Sequence, residues 1–102
     1  MNIPHDHVIA NGPEGLTQVL DDLFEKSKCD PTFVKKDYYV LYQLGNQKSL
    51  ILVDTTKQPF RFWHYDFMGR PATIVVKEAI EKFLWEKCGE RERVLKELNE
   101  RH

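Results

Sequence analysis

The first hydrophobic pattern along the chain predicts an amphipathic helix from Pro13 to Lys28. Apolar residues recur there at the i, i+3, i+4 and i+7 spacing, which gathers them on one helical face. Gly12 suits the N-cap, Pro13 suits the first helical position, and Glu14 complements the positive helix end. Cys29-Asp30-Pro31 then predicts the end of the helix. The apolar face comprises Leu16, Val19, Leu20, Leu23 and Phe24.

The middle of the chain changes to three short runs that are rich in aromatic and β-branched residues. They extend over Tyr38 to Leu44, Ser49 to Asp54 and Phe60 to Asp66. Gly45-Asn46 separates the first two runs, and residues 55–59 separate the second from the third. Both are short, turn-forming connections. The pattern therefore predicts an antiparallel three-stranded meander.

Side-chain parity divides this meander into two faces. A two-residue turn at Gly45-Asn46, or one residue later, places even-numbered residues of the first strand beside odd-numbered residues of the second. A four-residue second loop extends the alternation to the third strand. We define the apolar face as Tyr38, Val40, Tyr42, Leu44, Ile51, Val53, Phe60, Phe62 and His64. We define the mixed face as Tyr39, Leu41, Gln43, Leu50, Leu52, Arg61, Trp63 and Tyr65.

A helical period returns after Pro71 and predicts a second core helix that ends or kinks at Gly89. The β-branched stretch Thr73–Val76 leaves its beginning open, because these residues also suit a short fourth strand. The tail from Glu90 to His102 alternates charge sign around a narrow apolar strip, which predicts a weakly docked, solvated third helix. The core stripe of the second helix comprises Ala72, Val76, Ala79, Ile80 and Phe83.

These elements predict an α+β fold: an N-terminal helix, a three-stranded antiparallel meander with a possible short fourth strand, and one long or two C-terminal helices packed on one sheet face. We expect residues 1–12 to be a flexible N-terminal segment and residues 13–102 to be one domain. The element order from Pro13 to Cys88 resembles that of a double-stranded-RNA-binding domain. That family has a basic cluster where its last helix begins, whereas the matching stretch Arg70–Lys77 is charged only at its ends. We therefore do not assign the chain to that family.

Composition and charge narrow the possible functions. Hydrophobic residues make up 41% of the chain and charged residues 30%, as in ordinary globular domains. Lys and Arg number 15 against 16 for Asp and Glu, so no overall cationic field attracts phosphates or anionic membranes. The N-terminus lacks a secretory signal and no apolar run has the length of a membrane span, so we expect a cytoplasmic protein. Cys29 and Cys88 are expected to be free thiols.

Few residues have a pattern that is typical of catalysis or cofactor binding. His5-Asp6-His7 offers metal ligands, but catalytic zinc sites use three protein ligands and structural sites four, so we expect no metal. His64 and Asp66 share strand parity and could supply the general base of a small enzyme, but no activated nucleophile accompanies them. The glycines are scattered, and Gly69-Arg70-Pro71 is only a weak anion-binding signal. We predict no catalytic residue and no cofactor.

Two surfaces remain as candidate binding sites. The first is the mixed face, because helices on the apolar face would leave it uncovered. The second is the side of the last helix that bears Ile74 and Trp85, nearly opposite its core stripe. The leading hypothesis is a protein-interaction module, most simply a homodimer or a complex with another protein. A tail helix folded over the mixed face is the competing explanation. The candidate residues on the mixed face are Tyr39, Leu41, Leu52, Arg61, Trp63 and Tyr65.

Two alternative functions come from other classes. A single-stranded nucleic-acid or nucleotide-binding module would stack bases on the aromatic residues of the mixed face, with Arg61 contacting phosphate. The near-neutral net charge disfavours this alternative. The other alternative is the small His/Asp-dependent enzyme.

Overall fold

A computed structural model describes residues 3–89 and the backbone of residues 95–97. The described residues form a mixed sheet in the strand order β1-β2-β3-β4-β5, with two helices. The two outer pairs, β1 with β2 and β4 with β5, are parallel, and the inner pairs are antiparallel. The predicted α+β class is therefore confirmed. The elements are β1 (His7–Asn11), α1 (Gly12–Cys29), β2 (Asp37–Leu44), β3 (Gln47–Asp54), β4 (Arg61–Asp66), α2 (Ile74–Cys88) and β5 (Leu95–Glu97).

The three central strands are the predicted meander with the predicted side-chain parity, but six residues, 55–60, connect β3 to β4 rather than the expected four. Gly45-Asn46 connects β2 to β3, and Gly45 has a φ of +59°, a conformation that glycine adopts without steric cost. Val40 lies opposite Ile51, and Ile51 lies opposite His64. Even-numbered residues of β2 and β4 therefore share a face with odd-numbered residues of β3. The assignment of residues to the apolar face and the mixed face is confirmed for these strands.

Both helices pack on the apolar face, and Phe83 of α2 is at the centre of the contact. Its ring centroid lies 5.8 Å from that of Phe24 in α1. It lies 6.0 Å from Phe60 and 6.2 Å from Phe62, which belong to the sheet side of the core. One ring therefore connects both helices with the sheet. The same buried cluster includes Leu16, Leu20, Val40, Tyr42, Ile51, Val53, Val76 and Ile80.

The prediction that a helix is the first element is wrong, because β1 precedes it. This strand lies within residues 1–12, the segment expected to be flexible, and Asn11 rather than Gly12 occupies the N-cap of α1. α1 is the crossover that returns the chain so that β2 lies parallel to β1. A parallel pair is joined by a long connection, so no local turn marks it in the sequence. The sheet is consequently mixed rather than antiparallel, which also ends the likeness in element order to double-stranded-RNA-binding domains.

The stretch Thr73–Val76 begins α2 and does not form a fourth strand. Thr73 occupies the N-cap, where its hydroxyl oxygen accepts a hydrogen bond from the backbone N–H of Val76 at 3.5 Å. This bond satisfies one of the N–H groups that the first helical turn leaves without a helical partner. Gly89, with a φ of +66°, ends the helix in the left-handed conformation that favours glycine.

The tail differs from the predicted solvated helix where the structure describes it. Leu95–Glu97 form β5, which lies parallel to β4 with Leu95 in register with Phe62. Pairing of this kind satisfies backbone groups along an otherwise unpaired edge of β4, and that gain outweighs the helical charge pattern of the tail. The other residues of this prediction, 90–94 and 98–102, lie outside the described residues.

Phe83→Ala is expected to lower the free energy of unfolding by about 3–5 kcal/mol, because it removes the ring that joins both helices to the sheet. The neighbouring Lys82 is a matched control, since its side chain is exposed and only pairs with Glu86 at 3.9 Å. Lys82→Ala should cost less than about 0.5 kcal/mol. Chemical denaturation followed by far-UV circular dichroism measures both values. Similar losses for the two variants would contradict the central place of Phe83 in the core.

Candidate functional site

The mixed face lies on the side of the sheet opposite to α1 and α2, and cross-strand pairing orders its residues in rows. Side chains that are directly opposite each other in such rows have Cβ atoms about 4.5–5.5 Å apart, so the rows form a continuous surface. β1 extends this surface, with His7 beside Tyr39 and Ile9 beside Leu41. The two central rows are Tyr39-Leu52-Trp63 and Leu41-Leu50-Tyr65.

The centre of the mixed face is apolar and already buried in the single chain. Leu41 is 7% exposed and Leu50 is fully buried, although neither helix lies on this side. Tyr65 also packs edge-on against Phe67, with ring centroids 5.7 Å apart. The aromatic residues are thus less exposed than a bare sheet face would leave them. Around the two leucines, Tyr39, Leu52, Trp63 and Tyr65 are half-buried and Arg61 is exposed.

Charged residues lie at both ends of the mixed face. At one end Asp37 is opposite Asp54, which is in turn opposite Arg61 on β4. At the other end the exposed Lys48 is opposite Gln43. An apolar centre surrounded by a polar rim with aromatic residues and arginine is the anatomy of protein interfaces.

The second predicted surface is on α2 and is divided. Ile74 and Trp85 are both exposed and lie on the same side of the helix, away from its buried residues. Ile74 is the first residue of α2, whereas Trp85 is in its last turn. At 1.5 Å per residue, their Cα atoms are about 16 Å apart along the axis. The structure therefore does not bring these two residues together into one patch.

The pair from which an enzyme would take its base is inside the protein. His64 and Asp66 are fully buried, and Ser49, which lies opposite Asp66, is buried with them. Tyr42 continues this row on β2, and burial raises the pKa of its hydroxyl. A substrate in solvent has no access to groups buried in this way. The geometry does not support the His/Asp enzyme.

The carboxylate of Asp66 holds the loop that leads into α2. It accepts hydrogen bonds from the backbone N–H of Met68 at 2.8 Å and of Arg70 at 3.1 Å. The side-chain Nε of Arg70 also donates to it at 3.2 Å. Burial raises the pKa of Asp66, but the hydrogen bonds from Arg70 and Met68 and the charge of Arg70 together lower it by more. The sequence analysis named Asp66 as a candidate base and missed its role in holding the loop. An aspartate shortly before Gly69-Arg70 could have indicated that role, because aspartate side chains often accept hydrogen bonds from the backbone of a following turn.

The outer sides of the helices form an open groove of about 800 Å³. Its walls are charged, and carboxylates of α1 face lysines of α2 across it. Within residues 3–89 and 95–97, no three histidine, cysteine or acidic side chains are grouped so that they could hold a metal ion. Cys29 is exposed and Cys88 half-buried, and no disulfide joins them. The charged lining residues are Glu14, Asp21, Asp22, Glu25, Lys82 and Lys87.

Comparison of the chain with protein families, with curated proteins and with solved structures gave no significant match. Neither of the two helices described here combines the length and the apolar character that a membrane span requires. The choice among functions therefore depends on the surfaces described above, of which the mixed face is the most like a binding site.

Asp66→Asn is expected to lower the free energy of unfolding at neutral pH by about 1–3 kcal/mol, because a neutral amide removes the charge that strengthens the hydrogen bonds from Met68 and Arg70 and its nitrogen would face the Arg70 guanidinium. Asp22 is the control, since it makes an exposed pair with Lys26 at 3.2 Å. Asp22→Asn should cost less than about 0.5 kcal/mol. Urea unfolding of the two variants and the wild type measures both changes. An equal, small effect of both substitutions would contradict the role of Asp66.

The same substitution should change the response to acid. Because the pKa of Asp66 is lower in the folded chain than the ordinary 3.8, its contribution to stability is complete above that value. The contribution is lost as the pH falls through the lower folded-state pKa. Asp66→Asn should therefore lose less stability on acidification than the wild type. Parallel acid dependence of the two proteins would show that the Asp66 hydrogen bonds do not stabilise the fold.

Proposed function

We propose that the domain is a protein-interaction module that forms a homodimer by stacking the mixed faces of two copies. The observation that supports this most directly is that α1 and α2 both pack on the apolar face. Among the described residues, no helix covers the opposite side, where Trp63, Tyr65 and Tyr39 remain half-buried. Large aromatic side chains that stay partly in water gain most from a partner, because each buries about 150–250 Å².

The distribution of charge favours a second copy as the partner. A two-fold axis that runs between the two sheets, parallel to them and across the strands, reverses the strand direction of the second copy. The end of one face that bears Lys48 then lies over the end that bears Asp37 and Asp54 of the other. Lys48 therefore meets carboxylates at both ends, while the half-buried side chains around Leu41 and Leu50 face those of the other copy. A net charge of −1 adds little repulsion between copies.

The residue types around the two buried leucines of this face suit such a contact. Tryptophan, tyrosine and arginine contribute most of the binding energy in many interfaces, especially near the centre and with a surrounding rim that excludes water. Trp63 lies between Leu52 and the β5 edge, and Tyr65 follows it in the next row. The rigid sheet holds both rings in place, so little conformational entropy is lost when they are buried.

The nucleic-acid alternative has weaker support on the same surface. Arg61 is exposed and two residues from Trp63, which is a suitable arrangement for stacking a base and contacting its phosphate. However, Asp54 is directly opposite Arg61, and Asp37 is opposite Asp54. Two carboxylates at this end oppose the approach of a phosphate backbone. A second copy that presents Lys48 fits the same end better.

Sedimentation velocity over a range of concentrations should show a self-associating protein, and Trp63→Glu should abolish the contact through the mixed face. The substitution places a charge in the apolar centre, where it would have to be desolvated. Val34→Glu is the control, because Val34 is a 62% exposed valine outside the sheet. It should leave association unchanged, and both variants should stay folded by circular dichroism.

Other outcomes identify the alternatives. A wild type that stays monomeric at all concentrations, with Trp63 quenched equally at each, would contradict the dimer and favour a face closed within the chain. Dissociation by Trp85→Glu but not by Trp63→Glu would move the contact to α2. Tight binding of a single-stranded oligonucleotide that is lost with Trp63→Ala would favour the nucleic-acid alternative.

A further inference from the structure

β1 is an edge strand whose apolar side chains are exposed on both faces of the sheet. Val8 on the apolar-face side is 47% exposed, and Ile9 on the mixed-face side is 50% exposed. Among the described strands β1 has a neighbour only on one side, where β2 lies parallel to it. Its outer side therefore presents backbone N–H and C=O groups along an apolar strand of five residues.

The sequence of this strand, within the part of the chain that the structure describes, lacks several features that usually prevent pairing with another chain. Such features are lysines or prolines in the strand, inward-pointing charges, a bulge, or a covering loop. His7–Asn11 has no charged residue other than the titratable His7, and no proline. Its neighbour Asp6 is occupied by a pair with Lys36 at 3.5 Å on the same chain. The edge thus resembles an open pairing site rather than a protected one.

We propose that β1 pairs antiparallel with β1 of a second copy, across a two-fold axis perpendicular to the sheet. Directly opposite residues then share a face, so only registers in which the two residue numbers have the same parity are allowed. The register centred on Ile9 places Ile9 against its own copy, Val8 against Ala10, and His7 against Asn11. All five residues pair, apolar with apolar and polar with polar.

The neighbouring registers are worse. Centring the axis on Val8 would pair Val8 with its own copy but place Ile9 against His7 and Ala10 against Asp6, so two of the three apolar residues would face polar partners. Centring it on Ala10 would leave Ile9 against Asn11 and shorten the paired segment. This self-complementary order of residues favours a second copy over an unrelated extended peptide. In a contact with two-fold symmetry each pairing occurs twice, because residue i of one copy faces residue j of the other and residue j faces residue i.

The helices permit this pairing. α1 contacts both β1 and β2, so its axis lies over this pair of strands. With strands about 4.8 Å apart, the two copies of α1 would lie about 9–10 Å from each other across the joined edge. That spacing falls within the usual 8–10 Å between packed helices. The two apolar faces would be on one side of a continuous sheet and the two mixed faces on the other.

The edge contact depends only on β1, whereas its consequence for the assembly rests on the proposed mixed-face dimer. The axis of the mixed-face contact runs parallel to the sheets, between the two copies, and the axis of the edge contact is perpendicular to the sheet. A chain that forms both contacts therefore joins more than two copies, and the assembly closes as a D2 tetramer only where the two axes intersect.

A cysteine cross-link tests the edge register directly. In the full chain with Cys29→Ser and Cys88→Ala, Ile9→Cys would place two thiols opposite each other, with Cα atoms about 4.5–5.5 Å apart. This distance suits a disulfide. Mild oxidation should convert most of the Ile9→Cys protein to a covalent dimer and leave Val34→Cys, the more exposed control position, largely monomeric. Equal cross-linking of the two variants, or none of either, would overturn the proposal.

A second variant does not depend on oxidation. Val8→Lys changes β1 on the apolar-face side, away from the mixed face. A lysine in an edge strand opposes pairing with another strand, so this change should raise the dissociation constant of the edge contact about tenfold or more. Sedimentation should then give species larger than a dimer for the wild type, a dimer for either Val8→Lys or Trp63→Glu, and a monomer for the double variant. A wild-type dimer split only by Trp63→Glu would overturn the edge pairing and retain the proposed function. A dimer split only by Val8→Lys would do the reverse.

Discussion

The packing of Phe83 against Phe24, Phe60 and Phe62 fixes α1 and α2 on the same side of the sheet. Both helices are also crossovers between parallel strands, since α1 joins β1 to β2 and α2 joins β4 to β5. The aromatic cluster and the two crossovers therefore place all described helical cover on the apolar face. Among the described residues no helix lies on the mixed face, although its central Leu41 and Leu50 are buried within the chain.

The buried polar residues contribute to the same arrangement. Asp66 ends β4 and, through its hydrogen bonds from Met68 and Arg70, holds the loop that precedes Thr73, the N-cap of α2. His64 and Ser49 are fully buried on the same face as Phe62 and Ile51. Their burial places these polar groups in the interior of the fold.

Local patterns in the sequence were sufficient for the elements whose partners are near in the chain. The spacing of Leu16, Leu20 and Phe24 predicted α1, and Gly45-Asn46 with strand parity predicted the faces of the meander, although the connection between β3 and β4 is two residues longer than expected. β1 and β5 were missed because their partners are distant in the chain, and a parallel edge leaves no turn residue to mark it. Parity identified the residues of the mixed face, but it did not reveal that Leu41 and Leu50 are buried within the chain.

The central claim is that the mixed face becomes buried against a second copy, and the fluorescence of Trp63 measures this most directly. Trp85→Phe leaves Trp63 as the single tryptophan of the chain. Acrylamide quenching of that tryptophan should weaken progressively as the protein concentration rises through the dissociation constant, because the dimer shields the indole. Quenching that is the same at every concentration, in a protein that nevertheless self-associates, would contradict the account.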